Sequence, residues 1–179
     1  RYTDRKDFFD FFDCFPKTIS ILEMGCSCGI NLRILKELGF KNLTGIDISK
    51  PAYQAAKKNH PDLNIVYGSI LEMPFNNNQF DVVFTMGVLI HQTPTISLPM
   101  VMKEAVRCSK KTILGFEDYA TNFQNPIDAV YKKDMYWRGP FVSAWLDYEP
   151  SLKALEVKNI PIPNHNGRYH QCYKLEKIG

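Results

Sequence analysis

A glycine-containing turn within residues 21–32 carries the residue types best suited to chemistry. Its sequence is ILEMGCSCGINL, in which an apolar run ends at Glu23, Gly25 follows two residues later and Gly29 opens a helical pattern. The amino end of a helix presents unpaired N–H groups that can bind an anion. A pyrophosphate of a dinucleotide requires G-x-G-x-x-G, and Ser27 stands at the middle glycine position. The turn therefore favours a smaller anion, such as a single carboxylate, although similar turns open many helices of α/β proteins.

An acidic residue closes the next predicted strand. Asp47 lies 18 residues after Gly29, at the end of the run LTGID. A carboxylate at this point can accept hydrogen bonds from both hydroxyls of a ribose. We assign Ile48, the next residue, to the same binding site. The alternative is that Asp47 only caps the following helix or lies at the surface.

Two further loops follow predicted strands. In GSILEMPF (residues 68–75), the hydroxyl and backbone of Ser69 suit the edge of an adenine, and Ile70 suits its face. In FDVVFTMGVLIHQTP (residues 80–94), a strand ends at Met86 and its backbone would face a reacting group. His91 follows within one helical turn.

Strands that alternate with helices must position these loops. The predicted strands are residues 18–24, 43–48, 64–68, 80–86 and 111–117, followed by a closing pair at 152–162 and 168–175. The predicted helices are residues 4–15, 31–38, 51–59 and 94–106. This alternation predicts an α/β fold with a mostly parallel seven-stranded sheet, helices on both faces and a C-terminal antiparallel hairpin. Ligands of such sheets bind at the carboxyl ends of the strands.

The order of these features resembles that of the class I S-adenosylmethionine-dependent methyltransferases, which have a Rossmann-like fold. ILEMGCSCGINLRIL, GIDIS, VYGSILEMPF, FDVVFTMGVLIHQTP and EAVRCSKKTIL are similar to segments of the methylases associated with pseudaminic acid biosynthesis. Those methylases likewise lack the middle glycine of the turn. RYTDRK near the start and CYKLEK near the end are similar to the ends of the same group. The resemblance covers about residues 1–118 and 168–178.

The resemblance implies S-adenosylmethionine as the cofactor and S-adenosylhomocysteine as its product. The residues that it assigns to the cofactor are Tyr2, Arg5, Glu23, Gly25, Gly29, Asp47, Ser69, Ile70 and Met86. Tyr2 and Arg5 match an N-terminal lid, in which Arg5 would pair with the methionine carboxylate. We expect one domain over residues 1–179, with a helix and lid at 1–16, a cofactor-binding core at 17–118, a substrate cover at 119–150 and a strand pair at 151–179.

Methyl transfer is an in-line displacement, and it needs a base only when the acceptor is a hydroxyl or a protonated amine. His91 is the first candidate because imidazole titrates near neutral pH. The alternative is that His91 only packs at the start of a helix. Glu117 and Tyr119 follow the fifth strand at the same rim of the sheet and complete the predicted catalytic set. No cluster of His, Cys or carboxylate residues has metal-ligand spacing, so we expect no metal.

The charge balance helps to predict the class of acceptor. Its 22 basic and 19 acidic residues give a net charge of +3, with no basic run longer than a pair. Nucleic-acid binders usually carry a larger and more clustered excess, so we expect a small-molecule acceptor and no nucleic acid. No apolar run approaches the length of a membrane span, so no membrane partner is expected. The five cysteines are expected to be reduced in a cytoplasmic protein.

Three functions remain open at this point. The first is methylation of an oxygen or nitrogen atom of a small molecule, with a sugar or sugar-derived acceptor suggested by analogy alone. The second is methylation of a protein or a nucleic acid. The third is a catalytically silent subunit that binds the cofactor.

Overall fold

A single mixed sheet forms the centre of the molecule. The computed structural model describes residues 5–120, 138–163 and 168–178. The strands within these residues are β1 (Ser20–Met24), β2 (Asn42–Asp47), β3 (Asn64–Tyr67), β4 (Phe80–Met86), β5 (Ser109–Ala120), β6 (Leu152–Pro161) and β7 (Arg168–Lys177). They are arranged in the order β3-β2-β1-β4-β5-β7-β6. The first five strands pair in parallel, and β7 is antiparallel to both β5 and β6. The predicted fold is confirmed.

The strand order reverses beside β1. This strand pairs with β2 on one side and with β4 on the other, so the connections that leave β1 and β4 diverge at their carboxyl ends. Such a switch point opens a crevice above the sheet, where open α/β folds bind their ligands. The topology thus brings the four loops singled out in the sequence to one edge of the sheet.

Five α-helices of the described residues cover the two faces. They are α1 (Lys6–Phe9), α2 (Ile30–Glu37), α3 (Lys50–Asn59), α4 (Ser97–Cys108) and α5 (Phe141–Tyr148). Helix α3 begins with a capped first turn, since the Ser49 hydroxyl accepts a hydrogen bond from Ala52 N at 3.4 Å and Pro51 lies in the first turn.

Separate apolar cores lie on the two faces of the sheet. On one face, α4 and α5 pack against β4, β5 and β7, with Trp145 and Tyr173 among the fully buried side chains. On the other face, α1, α2 and α3 pack around a cluster of phenylalanines. Phe8 contacts both Phe84 and Phe116, with ring centroids 5.6 and 6.1 Å apart. This cluster attaches the N-terminal segment to the middle of the sheet.

The N-terminal helix is shorter than predicted. The pattern of residues 4–15 predicts one continuous α-helix, but α1 ends at Phe9 and a 3-10 turn follows at Asp10–Phe12. The chain continues through i→i+3 hydrogen bonds, from Asp13 N to Asp10 O and from Phe15 N to Phe12 O. Pro16 disfavours α conformation at Phe15, which ends the helical path there.

Two helices of the face that carries Trp145 also differ from the prediction. The helix predicted from residue 94 begins at Ser97 instead, with Pro99 rather than Pro94 in its first turn. Helix α5 was not predicted, although Pro140 and the spacing of Phe141, Ala144 and Trp145 are typical of a helix start with one buried face. These residues fall in the predicted substrate cover at 119–150.

Candidate active site

A pocket of about 400 Å³ opens at the carboxyl ends of the first four strands. The predicted site residues on its wall are Gly25, Asp47, Ile48, Ser69, Ile70, Met86 and His91. A second cavity of about 200 Å³ shares Gly25, Ser27 and Met86 with the first, and Arg5 and Asn31 also line it. The shared residues make the two cavities neighbours, and the larger one falls within the usual size range of small-molecule sites.

The turn between β1 and α2 is wound through three left-handed residues. Gly25, Ser27 and Gly29 have φ angles of 72°, 47° and 80°. Gly25 is required for a second reason, because a Cβ there would lie 2.7 Å from Val88 Cγ2. The middle residue, Ser27, adopts a conformation that costs a non-glycine residue about 1–2 kcal/mol. Gly29 is buried at the start of α2 and does not line the cavities.

Asp47 compensates for the strained turn. One carboxylate oxygen accepts a hydrogen bond from Ser27 N at 2.7 Å, and the other accepts one from Ser49 N at 2.8 Å. Asp47 thus ties the β1–α2 turn to the start of α3 while its side chain borders the larger cavity. Asp47 therefore joins the two loops, whereas the alternative considered from the sequence was that it only caps the following helix.

A buried hydrogen-bonded chain runs beneath the smaller cavity. Arg5 donates to Asn31 Oδ1 at 2.7 Å, and Asn31 Nδ2 donates to Glu23 Oε1 at 2.6 Å. Glu23 is 1% exposed, and its second oxygen has no hydrogen-bond partner among the described residues. Burial raises the pKa of Glu23 to about 8, against the opposing effects of the Asn31 hydrogen bond and the Arg5 charge. The sequence analysis predicted no role for Asn31, which connects the predicted site residues Arg5 and Glu23.

The loop that carries Ser69 and Ile70 is fastened from α4. Glu104 accepts a hydrogen bond from Met73 N at 2.7 Å, and the Arg107 guanidinium holds Glu104 with Nε–Oε1 at 2.6 Å. Arg107 also donates to Phe75 O at 2.6 Å and to Met73 O at 3.0 Å. The guanidinium keeps the pKa of Glu104 below its usual range. The sequence assigned no role to this pair, whose i, i+3 spacing on a helix was the available signal.

Replacing Arg107 with lysine is expected to lower the free energy of unfolding by about 1–3 kcal/mol. A lysine keeps the charge but loses the planar fork that reaches two carbonyls and a carboxylate together. Urea unfolding would measure the loss, and amide hydrogen exchange would rise in residues 69–77. The matched control is Arg33→Lys, since Arg33 pairs with Glu37 on the exposed face of α2 and is expected to change little. Equal effects of the two substitutions would contradict the fastening role of Arg107.

The end of β4 forms the wall between the two cavities. Met86 borders both of them, and Gly87 follows with a φ of 65°. A Cβ at Gly87 would meet no atom within 4 Å, so this residue faces open space in the larger cavity. His91 ends a 3-10 turn at Leu89–His91 and lies exposed on the cavity wall.

The remaining predicted residues lie elsewhere. Glu117 is fully buried and accepts hydrogen bonds from the backbone, so the predicted contact with substrate is corrected. Tyr119 packs against Tyr169 with ring centroids 6.3 Å apart and lines neither cavity. Tyr2 lies outside the described residues, as does most of the predicted substrate cover. Within that cover, Trp145 is buried and donates to Tyr173 Oη at 2.9 Å, so it belongs to the core.

A polar cluster lies beyond the cavities at the end of β5. Asp118 Oδ1 lies 2.9 Å from His170 Nδ1, and its other oxygen lies 3.5 Å from Arg138 Nε. The His170 ring stacks on Phe116 with centroids 4.8 Å apart.

Among the described residues, no group of three or more His, Cys, Asp or Glu side chains is placed to hold a metal ion. In the same part of the chain, no helix has the length and apolar character needed to cross a membrane.

Comparison with known sequences identifies a family. The profile of the methyltransferase domain matches residues 21–112, just over half of the chain. The tRNA U34 carboxymethyltransferase of Pseudoalteromonas translucida is 27% identical over 153 residues, which cover 80% of this chain and 47% of that protein. The enzyme of the same name from Alcanivorax borkumensis is 29% identical over 99 residues, which cover 52% and 31%. The chain thus spans less than half the length of these relatives.

Proteins whose solved structures have the same fold are named for different reactions. The [4+2]-cyclase SpnF superposes with a TM-score of 0.82 at 11% identity, over 98% of this chain and 82% of that chain. Geranyl diphosphate C-methyltransferase from Streptomyces coelicolor, solved with Mg²⁺, geranyl diphosphate and S-adenosyl-L-homocysteine, superposes with a TM-score of 0.77 at 8% identity, over 98% and 77%. At these identities the likeness is one of fold. The family match rests on sequence, and the matched residues include all four loops of the pocket. The chain therefore belongs to the methyltransferase domain family, whose members take the methyl group from S-adenosylmethionine, and it is an enzyme.

Proposed function

We propose that the two neighbouring cavities bind S-adenosylmethionine and that the chain transfers its methyl group to an oxygen or nitrogen atom of an acceptor. The observation that carries the proposal is the meeting of Asp47, Ser69, Ile70 and Met86 around one pocket at the switch point of the sheet. Each of these residues comes from the end of a different strand or from the loop after it, except for the adjacent pair Ser69 and Ile70. A chance surface hollow would not collect the four loops that the sequence singles out.

The larger cavity has the features that an adenosine requires. Asp47 has lone pairs that the two amide bonds do not use, and these can accept from ribose hydroxyls. Ile48 is 67% exposed beside it, which leaves apolar surface for the face of an adenine. Ser69 and Ile70 border the same cavity on the side of β3. These features support the adenosine half of the cofactor at this end.

The smaller cavity has the features that an amino acid requires. Its wall is the glycine turn with Arg5 and Asn31, which can serve a carboxylate. Glu23 lies behind Asn31 and borders neither cavity, and the charge of its carboxylate, one oxygen of which lacks a partner, can balance an ammonium group bound beside Asn31. Met86 lies on the wall common to both cavities, where the sulfur between adenosine and amino acid would come. The orphaned oxygen and the open space at Gly87 support the fit of the cofactor.

The chain's own contribution to the reaction is mainly orientation. S-adenosylmethionine, when bound, supplies a methyl carbon already activated by a positively charged sulfur. The turn residues and Asp47 fix one of the two reactants, and the displacement becomes effectively unimolecular once the acceptor is also held in line with the methyl carbon. For a hydroxyl or protonated amine, His91 is the proposed base that removes the proton, because its imidazole lies on the cavity wall.

Two classes of acceptor remain as candidates. A small molecule is our first proposal, supported by the net charge of only +3 and by the resemblance to the pseudaminic-acid-associated methylases, which would suggest a sugar-derived acceptor. A tRNA nucleoside is the second, and the two curated relatives favour it, since both are named as tRNA U34 carboxymethyltransferases. The chain spans less than half of those relatives, so their substrate does not transfer with the shared domain.

Two measurements test this proposal. Calorimetry of the wild-type chain with S-adenosylhomocysteine is expected to give saturable one-to-one binding, and its absence would overturn the cofactor assignment. Incubation with methyl-labelled S-adenosylmethionine and either bulk tRNA or a metabolite extract would then separate the acceptors. Label that enters tRNA and is released by ribonuclease as a nucleotide would overturn the small-molecule proposal. Label in the metabolite extract alone would support it.

A further inference from the structure

Glu117 lies at the carboxyl end of β5, on the sheet face that carries Trp145 and Tyr173. Its side chain is 0% exposed and lies beside Thr85 of β4 and Tyr173 of β7. It borders neither cavity, so it does not touch the proposed cofactor. A carboxylate removed from water in this way must take its hydrogen bonds from the surrounding protein.

Three hydrogen bonds join this end of β5 to residues 87–91, which we call the 87–91 turn. Gly87 N donates to Phe116 O at 2.8 Å. Val88 N donates to Glu117 Oε1 and Leu89 N donates to Glu117 Oε2, both at 3.1 Å. One carboxylate therefore supplies two of the three acceptors and holds two successive amides.

The 87–91 turn in turn forms part of the pocket. Gly87, Val88 and His91 all border the larger cavity. The Val88 side chain lies directly over Gly25, where an added Cβ would come within 2.7 Å of Val88 Cγ2. A displacement of Val88 would therefore alter both the wall after β4 and the floor of the glycine turn. The amide of Val88 is one of the two that Glu117 holds.

We propose that Glu117 is a positioning residue, which holds the 87–91 turn in the shape that the cofactor pocket requires, and that it does so in its ionised form. The inference rests on the proposed function, because the consequence for binding assumes that this pocket takes the cofactor. Glu117 acts through Val88 and Leu89 and not by contact with a ligand. An ionised carboxylate offers an acceptor oxygen to each amide, whereas a neutral side chain of the same shape offers one acceptor and one donor.

The surroundings of Glu117 make its charge sensitive to pH near neutrality. Burial raises the pKa of Glu117 to about 7, opposed by the amides of Val88, Leu89 and Ile90 and by the Thr85 side chain. The titratable group beside it on β7 is Tyr173, whose own pKa is raised well above its usual range by burial. Tyr173 therefore stays neutral while Glu117 titrates. Trp145 of α5 contacts Tyr173 and carries no charge.

The test uses Glu117→Gln, with Glu117→Asp as the variant that keeps the charge. The exchange protection of the Val88 and Leu89 amides, followed by NMR in the ligand-free protein, is expected to fall about tenfold or more in Glu117→Gln. Lowering the pH from 8.5 to 6 should reduce the wild-type protection at these two amides once intrinsic rates are removed. Glu117→Gln should lack this dependence, and Glu117→Asp should keep it. The matched control is Glu176→Gln, on β7 and paired with Lys111, which should leave both amides as in the wild type.

The effect on the pocket is measured at pH 8.5 with S-adenosylhomocysteine as the probe. Glu117→Gln is expected to weaken binding about tenfold or more, with partial recovery in Glu117→Asp. Unchanged protection of the two amides would overturn the proposal. Lost protection with unchanged affinity would also overturn it, because the turn would then not shape the pocket. If the wild type fails to bind the probe, the proposed function fails instead, and the exchange result still decides whether Glu117 holds the turn.

Discussion

Replacing Asp47 with alanine is expected to abolish measurable binding of S-adenosylhomocysteine. The substitution removes the acceptors of Ser27 N and Ser49 N, at 2.7 and 2.8 Å, and leaves both amides without their partner. A hydrogen bond to a charged group contributes about 1.5–3 kcal/mol to stability, so the loss of two of them would leave the two loops without the shape that the pocket requires, and we expect the affinity to fall about a hundredfold or more. The loss is larger if Asp47 also accepts from the ribose. Ser27 would in addition lose the contact that holds its left-handed conformation.

Asp47→Asn and Asp62→Ala complete this experiment. Asparagine keeps one acceptor oxygen, so Asp47→Asn is expected to bind with intermediate affinity. Asp62 is exposed and pairs with Lys36, away from both cavities, and its replacement should leave the affinity unchanged. Calorimetry at one pH compares all three variants with the wild type. If Asp47→Ala bound within about threefold of the wild type, neither the two amide hydrogen bonds of Asp47 nor the ribose contact would matter to binding.

The sequence predicted the sheet because buried parallel strands and their loops carry local signals. The run from Phe80 to Met86 and the capping pattern at Ser49 and Pro51 each specify an element within a few residues. Asp47 and Ser69 follow such strands directly, so the topology alone brings them to one edge. The meeting of these residues around one pocket therefore needed no information beyond the order of the elements.

Contacts between distant segments could not be predicted in the same way. Nothing near Glu117 in the sequence indicates that Val88 and Leu89 donate to it from 29 and 28 positions away. The position of Glu117 after a strand favoured a catalytic role, but its side chain is fully buried beside Tyr173 and accepts hydrogen bonds from the backbone. The Arg107 contacts to Met73 and Phe75 are likewise 34 and 32 positions apart. Packing decides these cases, whereas local patterns describe only the element on which each residue lies.

Glu23→Gln is expected to stabilise the ligand-free protein at pH 8.5. Burial raises the pKa of Glu23 from 4.5 to about 8, so the folded chain keeps a proton that the unfolded chain loses. The free energy of unfolding of the wild type therefore falls as the pH rises from about 4.5 to about 8, by about 5 kcal/mol in total, and is constant above that. Glutamine carries no charge and can still accept from Asn31. Urea unfolding should give similar stabilities for the two proteins at pH 4.5 and a more stable variant at pH 8.5.

The same substitution is expected to weaken cofactor binding about ten- to a hundredfold, because a neutral amide cannot balance an ammonium group. In the wild type, an ammonium brought near Glu23 lowers the pKa of the carboxyl, so binding at pH 7 should release close to one proton. Calorimetry with S-adenosylhomocysteine in buffers of different ionisation enthalpy measures that release, which in Glu23→Gln should be smaller by close to one proton and should retain only the part linked to Glu117. Glu176→Gln, remote from the cavities, should leave stability at both pH values and proton release close to the wild type. Proton release of the same size in Glu23→Gln as in the wild type would assign the titration to another group. Higher stability at pH 8.5 together with weaker binding in Glu23→Gln would show that the carboxylate serves the ligand. A carboxylate with only a structural role would not give both results.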